Sequence, residues 1–234
     1  MHAGISFIIP VLNDAQALGK LLPQLQHHRE QGHEIIIVDG GSADGSLTVA
    51  RAHADRVLMT GTGRGRQMNL GAEHARHDIL VFLHADSLFP ASGADSIIDA
   101  LGDPDCHWGR FNVRLDQPGP VYSLIGNMMN LRSRLSGVAT GDQGIFVRKT
   151  AFHAAGGYQV IPLMEDVALS KELRAHSRPA CLPDILVTSG RRWRDRGVIR
   201  TVLLMWYLRL AYACGADAAR LARYYYPDVP ANRD

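Results

Sequence analysis

Apolar and polar positions divide the chain into short β-like runs and segments with helical spacing. Apolar runs rich in β-branched residues predict four strands, at residues 5–9, 34–38, 56–60 and 79–84. Helices are predicted to begin near Ala15, at Ser42 or Asp44, and near Gln67, and Pro23 is expected to kink or shorten the first of them. This alternation predicts an α/β fold, in which a mostly parallel, Rossmann-like sheet is flanked by helices and binds ligands at the carboxyl ends of its strands.

Composition and charge narrow the class of protein. The chain has 234 residues, 46% hydrophobic, with 25 Lys and Arg against 23 Asp and Glu, which indicates one globular domain or one domain with a small appendage. The near-neutral charge gives no reason to expect a nucleic-acid partner. Cys106, Cys181 and Cys214 are widely spaced and odd in number, which favours a reducing, cytoplasmic compartment. The first residues lack the positive region of a secretory signal, and their apolar stretch stops at Pro10.

Polar residues follow two of the predicted strands. Asp39 is followed by Gly40 and Gly41, so a carboxylate precedes backbone that a ligand can approach closely. His84 and Asp86 follow the fourth strand in the same way. Each group has a structural alternative, since Asp39 could cap the next helix and His84 could be a core histidine at a strand end. Because the carboxyl ends of parallel strands meet at one edge of a sheet, two such strands together favour a ligand site.

A glycine-rich stretch, "TGTGRGRQMN", occupies residues 60–69. Its glycines alternate as G-x-G-x-G and follow the third strand, so it lacks both the spacing and the position of the dinucleotide-binding motif. The stretch carries Arg64 and Arg66 into a helix start, an arrangement suited to phosphate or to the edge of a nucleotide. A solvated basic loop is the alternative.

Four stretches in order resemble the family 2 glycosyltransferases with the GT-A fold: "FIIPVLND", "IIIVDGGSADGS", "LHAD" in the place of the Asp-x-Asp motif, and "GGYQVIPLMEDVALSKEL". The wording of "LHAD", "GDQGIFV" and "SGRRWRDRG" is most similar to the subgroup associated with radical-SAM and selenodomain genes. The resemblance covers roughly residues 5–195. It implies a GT-A nucleotide-sugar glycosyltransferase domain at residues 1–195 and a C-terminal helical extension at residues 196–234, belonging to the same domain or making a membrane or dimer contact.

The resemblance implies an inverting, metal-dependent enzyme of hexosyltransferase type (EC 2.4). Such an enzyme moves a sugar from a nucleoside-diphosphate sugar to a hydroxyl acceptor, which the sequence does not identify. Asp86 matches the second Asp of the motif, which in the family binds a divalent metal held by the diphosphate, and His84 replaces the first. The metal is expected to be Mn²⁺ or Mg²⁺. The residues expected to bind the nucleotide sugar are Pro10, Val11, Asn13, Asp39, Gly40, Gly41, Arg64, Gln67 and Asn69.

The same resemblance assigns the chemistry to Glu165 and Asp166. Asp166 matches the general base that takes the proton of the attacking hydroxyl, and Glu165 is expected to orient it or to touch the acceptor. The structural alternative is an amphipathic helix with two acids in its first turn. Four further residues are expected to contact the acceptor or the diphosphate: Asp142, Gln143, Arg192 and Trp193.

The segment "VIRTVLLMWYLRLAYACG" is apolar on most sides and is interrupted by Arg200 and Arg209. The stretch between these arginines is far shorter than the ~20 residues needed to cross a bilayer. A buried or dimer-forming helix is the first interpretation, and a helix on the inner membrane surface, flanked by arginines, is the second. Three consecutive tyrosines at 224–226 fit either surface.

Two other classes of function stay open. A non-catalytic nucleotide-sugar-binding or membrane-associated protein would bind the donor without turnover. A nucleotidyltransferase of similar sheet topology would carry a Gly-rich basic signature directly after the first strand, and "PVLNDAQALGK" lacks one.

Overall fold

The computed structural model describes residues 3–226. Its seven strands are β1 (Ile5–Val11), β2 (Glu34–Asp39), β3 (Arg56–Met59), β4 (Ile79–Phe82), β5 (Trp108–Leu115), β6 (Ile145–Arg148) and β7 (Ala180–Thr188). Its helices are α1 (Ala15–Glu30), α2 (Ser46–His53), α3 (Arg64–His74), α4 (Gly93–Ala100), α5 (Pro120–Ser136), α6 (Lys149–Ala154), α7 (Glu165–His176), α8 (Arg191–Arg196), α9 (Val198–Ala213) and α10 (Ala218–Tyr225). A single 3-10 turn at Gly141–Gln143 precedes β6.

The strands form one sheet in the order β3-β2-β1-β4-β6-β5-β7. Every neighbouring pair is parallel except those made by β6, which runs antiparallel to both β4 and β5. All residues of β1 and β2 are buried, as expected for central strands that are covered on both faces. The fold is therefore the predicted α/β, GT-A arrangement of a mostly parallel sheet flanked by helices.

Two apolar clusters cover the two faces of this sheet. One contains the leucines of α1 together with Phe7, Phe89 and Phe111. The other packs α3, α6 and α7 against the opposite face, around Phe82 and Trp108. A third, smaller cluster joins the first turn of α7 to α9 and α10 through Leu208 and Leu221. The C-terminal helices thus pack beside the start of α7.

The predicted elements are present, with differences at their ends. α1 continues through Pro23 to Glu30, because buried leucines on both sides of the proline, Leu18 and Leu25 among them, hold the helix on the sheet. α2 begins at Ser46 after Gly45, so neither Ser42 nor Asp44 is its N-cap residue.

Two boundaries near the predicted site shift by two or three residues. α3 begins at Arg64, earlier than the predicted Gln67, and β4 ends at Phe82, so His84 and Asp86 lie in the turn after the strand. Within residues 3–226 no helix has both the length and the apolar character required to span a bilayer.

Candidate active site

The carboxyl ends of β1 and β4 open into a cavity of about 970 Å³. The first turns of α3 and α7 and the helices α8, α9 and α10 complete its wall. Eleven of the residues predicted from the sequence line it: Pro10, Val11, Arg64, Gln67, His84, Asp86, Asp142, Glu165, Asp166, Arg192 and Trp193. Six do not: Asn13, Asp39, Gly40, Gly41, Asn69 and Gln143.

Gln67 fixes the two strand ends at the donor side of the cavity. Its side-chain Nε2 donates to the carbonyl oxygens of Val11 at 2.9 Å and Val38 at 2.7 Å. Both amide protons are therefore used by the carboxyl ends of β1 and β2. The residue shapes the pocket and leaves only its carbonyl oxygen for a ligand.

Asp39 is completely buried at the end of β2. Its Oδ1 accepts the N–H groups of Gly41 at 2.7 Å and Ser42 at 2.8 Å, so one oxygen orders the turn after the strand. Its Oδ2 is buried with no hydrogen-bond partner among residues 3–226. A buried carboxylate oxygen without a donor is costly, and a donor supplied by a ligand would satisfy it. One oxygen of Asp39 therefore orders the turn, and the other is the one that a ligand would contact.

The neighbouring loop is held by polar contacts of Asn13. This residue adopts φ = 52°, its N–H donates to Ser42 Oγ at 2.8 Å, and its Oδ1 accepts from Ala43 N–H at 2.7 Å. Asn13 thereby joins the loops after β1 and β2. Gly41 has φ = 99°, a conformation that favours glycine.

Asn69, which was predicted to contact the nucleotide, is not among the residues that line the cavity. Its Nδ2 donates to the carbonyl oxygen of Tyr158 at 2.8 Å, and its Oδ1 accepts from the Tyr158 N–H at 2.9 Å. Both ends of the side chain are used to hold the segment that leads to α7. The residue supports the wall of the site from behind.

Asp86, His84 and Asp142 form a charged group beside the strand ends. His84 Nδ1 lies 3.2 Å from Asp142 Oδ1. A Cβ placed on Gly141 would come within 2.3 Å of His84 Nε2, so that edge of the ring packs against Gly141. The ring therefore faces the 3-10 turn.

The two carboxylates of this group have opposite pKa shifts. Burial raises the pKa of Asp86, and Asp142 raises it further against the opposing effect of His84. Desolvation also raises the pKa of Asp142, but the hydrogen bond and charge of His84, with Arg64 and Arg192, outweigh it and lower that pKa to about 2. Asp142 is thus satisfied by protein cations, whereas Asp86 has no hydrogen bond to its carboxylate within residues 3–226.

The first turn of α7 carries Glu165 and Asp166 into the cavity. Asp166 Oδ2 accepts from Gly141 N–H at 2.8 Å, and its Oδ1 accepts from Val167 N–H at 2.7 Å. Glu165 is only 6% exposed. Its burial raises the pKa of its carboxyl, Asp166 raises it further, and Arg64 opposes both. The site therefore places a fixed carboxylate beside one that holds its proton more tightly.

Gln143, which was predicted to contact the acceptor, is not among the residues that line the cavity. The side chain is fully buried, and its Oε1 reaches back to the amide of Thr140 at 3.3 Å. Arg132 Nη2 lies 3.5 Å from the same oxygen. The three-residue spacing from Thr140, which is typical of a polar residue closing a helical turn, was a signal for this role.

Arg192 lies over the ring of Tyr225, 3.8 Å from its centroid, and Nη1 of this arginine is buried without a partner among residues 3–226. Tyr225 and Tyr226 also line the cavity, whereas Tyr224 is exposed. The segment 191–196 forms the helix α8.

One face of α9 also lines the cavity, which the sequence analysis missed. Thr201, Met205 and Arg209 recur every four residues and face inward. Burial lowers the pKa of Arg209, and Asp166 and Asp142 oppose this shift. The signal was Arg209 within the apolar part of the helix, since a buried charge usually has a partner.

Among residues 3–226 no group of three or more His, Cys, Asp or Glu side chains is placed to hold a metal ion by itself. Divalent ions such as Mg²⁺ are commonly bound by one or two carboxylates completed by substrate phosphates. Asp86, which is partly buried, lacks a hydrogen bond within residues 3–226 and lies close enough to Asp142 for its pKa to be raised by it, fits that kind of site. His84, engaged with Asp142 and Gly141, fits it less well.

The sequence model described as "Glycosyl transferase family 2" matches residues 6–153, more than half of the chain. The chain belongs to glycosyl transferase family 2. Its matched region covers the donor-side residues and the His84–Asp142 pair, and ends before α7.

Individual relatives of this family 2 chain agree with the assignment. It is 26% identical over 201 residues to the undecaprenyl-phosphate 4-deoxy-4-formamido-L-arabinose transferase of Sodalis glossinidius, covering 80% of this chain and 57% of that protein. The mannosyltransferase PcManGT from Pyrobaculum calidifontis, solved with GDP-Man and Mn²⁺, shares the fold with a TM-score of 0.64 and 19% identity, covering 99% of this chain and 66% of that one. TarS of S. aureus in complex with UDP has a TM-score of 0.65 at 15% identity, covering 98% of this chain and 67% of that one. The chain spans about half the length of the curated relatives it matches, from 32% to 57%.

Proposed function

We propose that this family 2 chain transfers a hexosyl group from a nucleoside-diphosphate sugar to a hydroxyl acceptor, with inversion at the anomeric carbon and with a divalent metal. One observation carries the proposal: a single cavity joins the strand ends at Pro10 and Val11 to the carboxylates of α7, with Asp86 on the same wall. The donor, its leaving group and the acceptor would thus bind in the same cavity. Membership of the subgroup associated with radical-SAM and selenodomain genes stays a prediction.

The donor would occupy the β1–β2 end. Asp39 is buried at the end of β2, outside the residues that line the cavity, and its Oδ2 has no hydrogen-bond partner among residues 3–226, so a base N–H that reached this end would satisfy it. Arg64 and Arg192 line the cavity and would pair with the diphosphate, which arginine binds well. Two structural neighbours were solved with GDP-Man and with UDP, and this supports a nucleoside-diphosphate donor without identifying its base or sugar.

Asp86 would hold the metal, Mn²⁺ or Mg²⁺, whose role when bound is to offset the charge that develops on the departing diphosphate. The raised pKa of Asp86, caused first by burial, means that its free carboxylate is poorly compensated by the protein. A cation would relieve that cost. The geometry changes the predicted role of His84: it would hold Asp142 in place instead of ligating the metal. Asp142 would remain available to the acceptor or sugar through its other oxygen, since 46% of its side chain is exposed.

Asp166 would accept the proton of the attacking hydroxyl. The N–H groups of Gly141 and Val167 fix its two oxygens in position and leave further lone pairs for the acceptor. Fixing the base reduces the entropy lost on reaching the transition state. Glu165, buried beside it, would orient the base or contact the acceptor.

The proposal includes a cytoplasmic location and allows contact with a membrane surface or a second copy. The three cysteines are free thiols in the structure. One relative is named as an undecaprenyl-phosphate transferase, which supports an acceptor placed at a membrane surface.

The test is calorimetric binding of nucleoside diphosphates with and without Mn²⁺, together with release of nucleoside diphosphate from nucleotide sugars. We expect Mn²⁺ to strengthen binding to the wild type and not to an Asp86→Asn variant. Asp44→Asn is the matched control, because Asp44 lies outside the residues that line the cavity. Equal affinity with and without Mn²⁺ would refute the metal assignment. Binding without any release would instead support the non-catalytic alternative, and release of pyrophosphate from nucleoside triphosphates would support the nucleotidyltransferase.

A further inference from the structure

α9 has two different faces. One face carries Thr201, Met205 and Arg209 into the cavity, with Leu208 buried beside them. The opposite face is apolar but open to solvent, with residues 52% to 77% exposed at spacings of three and four: Ile199, Leu203, Trp206, Tyr207 and Leu210. An isolated apolar side chain on a surface is ordinary, but a full helical stripe that includes a tryptophan indicates a binding surface.

The stripe continues onto α10. The ring of Tyr224, which is 50% exposed, lies 6.0 Å from that of Tyr207. Ala218 and Leu221 are buried, while Arg220 and Arg223 are exposed on the other side of this helix. We call the exposed side chains of both helices the α9–α10 face: Ile199, Arg200, Leu203, Trp206, Tyr207, Leu210, Arg220, Arg223 and Tyr224.

The charge of this part of the chain is strongly positive. Residues 190–226 contain eight arginines and two aspartates, a formal charge of +6, in a chain whose total is +2. The remainder of the chain therefore carries −4. From Gly197 to Ala216 the sequence has no acidic residue, and Asp217 is occupied as the cap of α10, where it accepts from Arg220 N–H. Of these eight arginines, Arg200, Arg220 and Arg223 are exposed on the α9–α10 face, four others line the cavity, and Arg194 pairs with Asp195. The apolar stripe is thus bordered by three arginines that have few anions near them in the sequence.

We propose that the α9–α10 face lies on the surface of an anionic phospholipid bilayer. Leucine and isoleucine side chains would enter the acyl boundary, Trp206 and the tyrosines would sit at headgroup level, and the arginines would pair with anionic headgroups. This inference makes specific the membrane contact that the proposed function allows, and its test needs no donor, metal or turnover, so the two can fail separately.

Charge favours this occupant over a second copy of the chain. A two-fold dimer places the same surface on both partners, so the arginines of the face would oppose each other. An anionic bilayer offers the opposite sign and has no register to satisfy. A dimer is therefore the alternative result of the test.

The test is flotation of the wild-type protein with vesicles of phosphatidylcholine alone and with vesicles of equal parts phosphatidylcholine and phosphatidylglycerol. We expect binding to the mixed vesicles, weak binding to the neutral ones, and release at high salt, because exposed charges are screened. Leu203→Glu should lower the partition coefficient at least tenfold, since it removes a leucine that would be buried in the bilayer and adds an anion.

Met59→Glu is the matched control: Met59 is 61% exposed on the edge strand β3, and Leu203 is 60% exposed. We expect it to bind vesicles as the wild type does. A second variant, Arg220→Gln with Arg223→Gln, keeps the apolar stripe and should lose about fivefold in partitioning per arginine, from the attraction of each basic residue to an anionic surface. Melting curves of all variants identify any that fail to fold.

Three results would overturn the inference. The wild type could fail to float with mixed vesicles. Leu203→Glu and Met59→Glu could lose binding equally, which would remove the α9–α10 face as the cause. The protein could instead sediment as a dimer that Leu203→Glu dissociates, with no vesicle binding by the wild type, and the face would then belong to a second copy.

Discussion

Asp166→Asn tests whether the carboxylate of Asp166 acts as the base or only as a structural acceptor. The two oxygens of Asp166 accept N–H groups from Gly141 at 2.8 Å and Val167 at 2.7 Å. Asparagine has one carbonyl oxygen, so one of these bonds is lost and an NH₂ group faces a backbone donor. A hydrogen bond to a charged group contributes about 1.5–3 kcal/mol. We therefore expect the free energy of unfolding to fall by about that amount, and Tm to fall by about 3–12 °C for a chain of this size.

The effect on catalysis should be larger and of a different kind. A general base contributes about 10²–10⁴ to the rate, which corresponds to about 2.7–5.5 kcal/mol in the barrier. Since the hydroxyl proton is transferred only in the transition state, donor and metal affinity should stay close to those of the wild type. At a temperature well below the Tm of the variant, lost stability does not lower the rate per folded molecule.

Asp44→Asn is the matched control for this experiment. Asp44 also accepts two backbone N–H groups, from Ala15 at 3.0 Å and Ser46 at 2.9 Å, and it does not line the cavity. The same substitution should lower Tm here without lowering the transfer rate. The assay combines donor calorimetry, melting curves and release of nucleoside diphosphate with an acceptor present. An Asp166→Asn enzyme with nearly the wild-type rate would remove Asp166 from the mechanism, and Asp142 would be the next carboxylate to test.

Asp39→Asn keeps one acceptor oxygen for the turn but places NH₂ where Oδ2 lies buried, so nucleotide affinity should fall about tenfold to a hundredfold and the preference among bases should weaken. Calorimetry across four nucleoside diphosphates measures both, and an unchanged preference would mean that Asp39 only orders the turn. The pKa of Glu165 is raised mainly by burial, so the stability that this residue contributes is present below its ordinary pKa of 4.5 and is lost as pH rises. Glu165→Gln should therefore have a higher Tm than the wild type at pH 8, and the difference in Tm should shrink toward pH 4. An equal difference in Tm at pH 8 and pH 4 would contradict this. In Gly141→Ala the new Cβ would lie 2.3 Å from the His84 ring, so the ring should be displaced and the pKa of Asp142 should rise from about 2. NMR titration of the Asp142 carboxyl measures this change. An unchanged pKa would mean that the His84 ring is not held against Gly141.

Much of the fold could be predicted because the central strands are buried on both faces. β1 and β2 are continuous apolar runs, and such runs have few alternatives to a covered parallel strand. Pro23 misled the prediction of α1, since local chemistry disfavours proline inside a helix, whereas packing of Leu18 and Leu25 on the sheet stabilises it. For α9 the sequence left a buried, a dimer-forming and a membrane-surface helix open, for a related reason. When most positions of a helix are apolar, the sequence does not indicate which of its faces packs against the rest of the protein. In α9 only Thr201 and Leu208 are buried.

At the site, the sequence could predict residue types and their place at strand ends, but not their partners. Asp86 and Asp166 reach one cavity because the topology brings a strand end and a helix start together. Asn69 was predicted to contact the nucleotide, yet its partner is Tyr158, 89 residues further along the chain. Contacts between residues so far apart in the sequence depend on the packed fold. A single sequence shows only that residue 69 is polar, and a polar residue can have many roles.

The segment from Thr140 to Gln143 explains why a buried glutamine belongs in this site. Gly141 donates its N–H to Asp166, and the next residue, Asp142, pairs with His84, which lies two positions before Asp86. Two consecutive residues, whose Cα atoms are about 3.8 Å apart in any trans peptide, thus connect the proposed base with the proposed metal ligand. Gln143 is buried beneath them and binds back to Thr140, so the segment has little freedom to shift. Because transfer requires base and leaving group at a fixed separation on opposite sides of the sugar, rigidity in this segment serves catalysis more than a direct contact of Gln143 with the acceptor would.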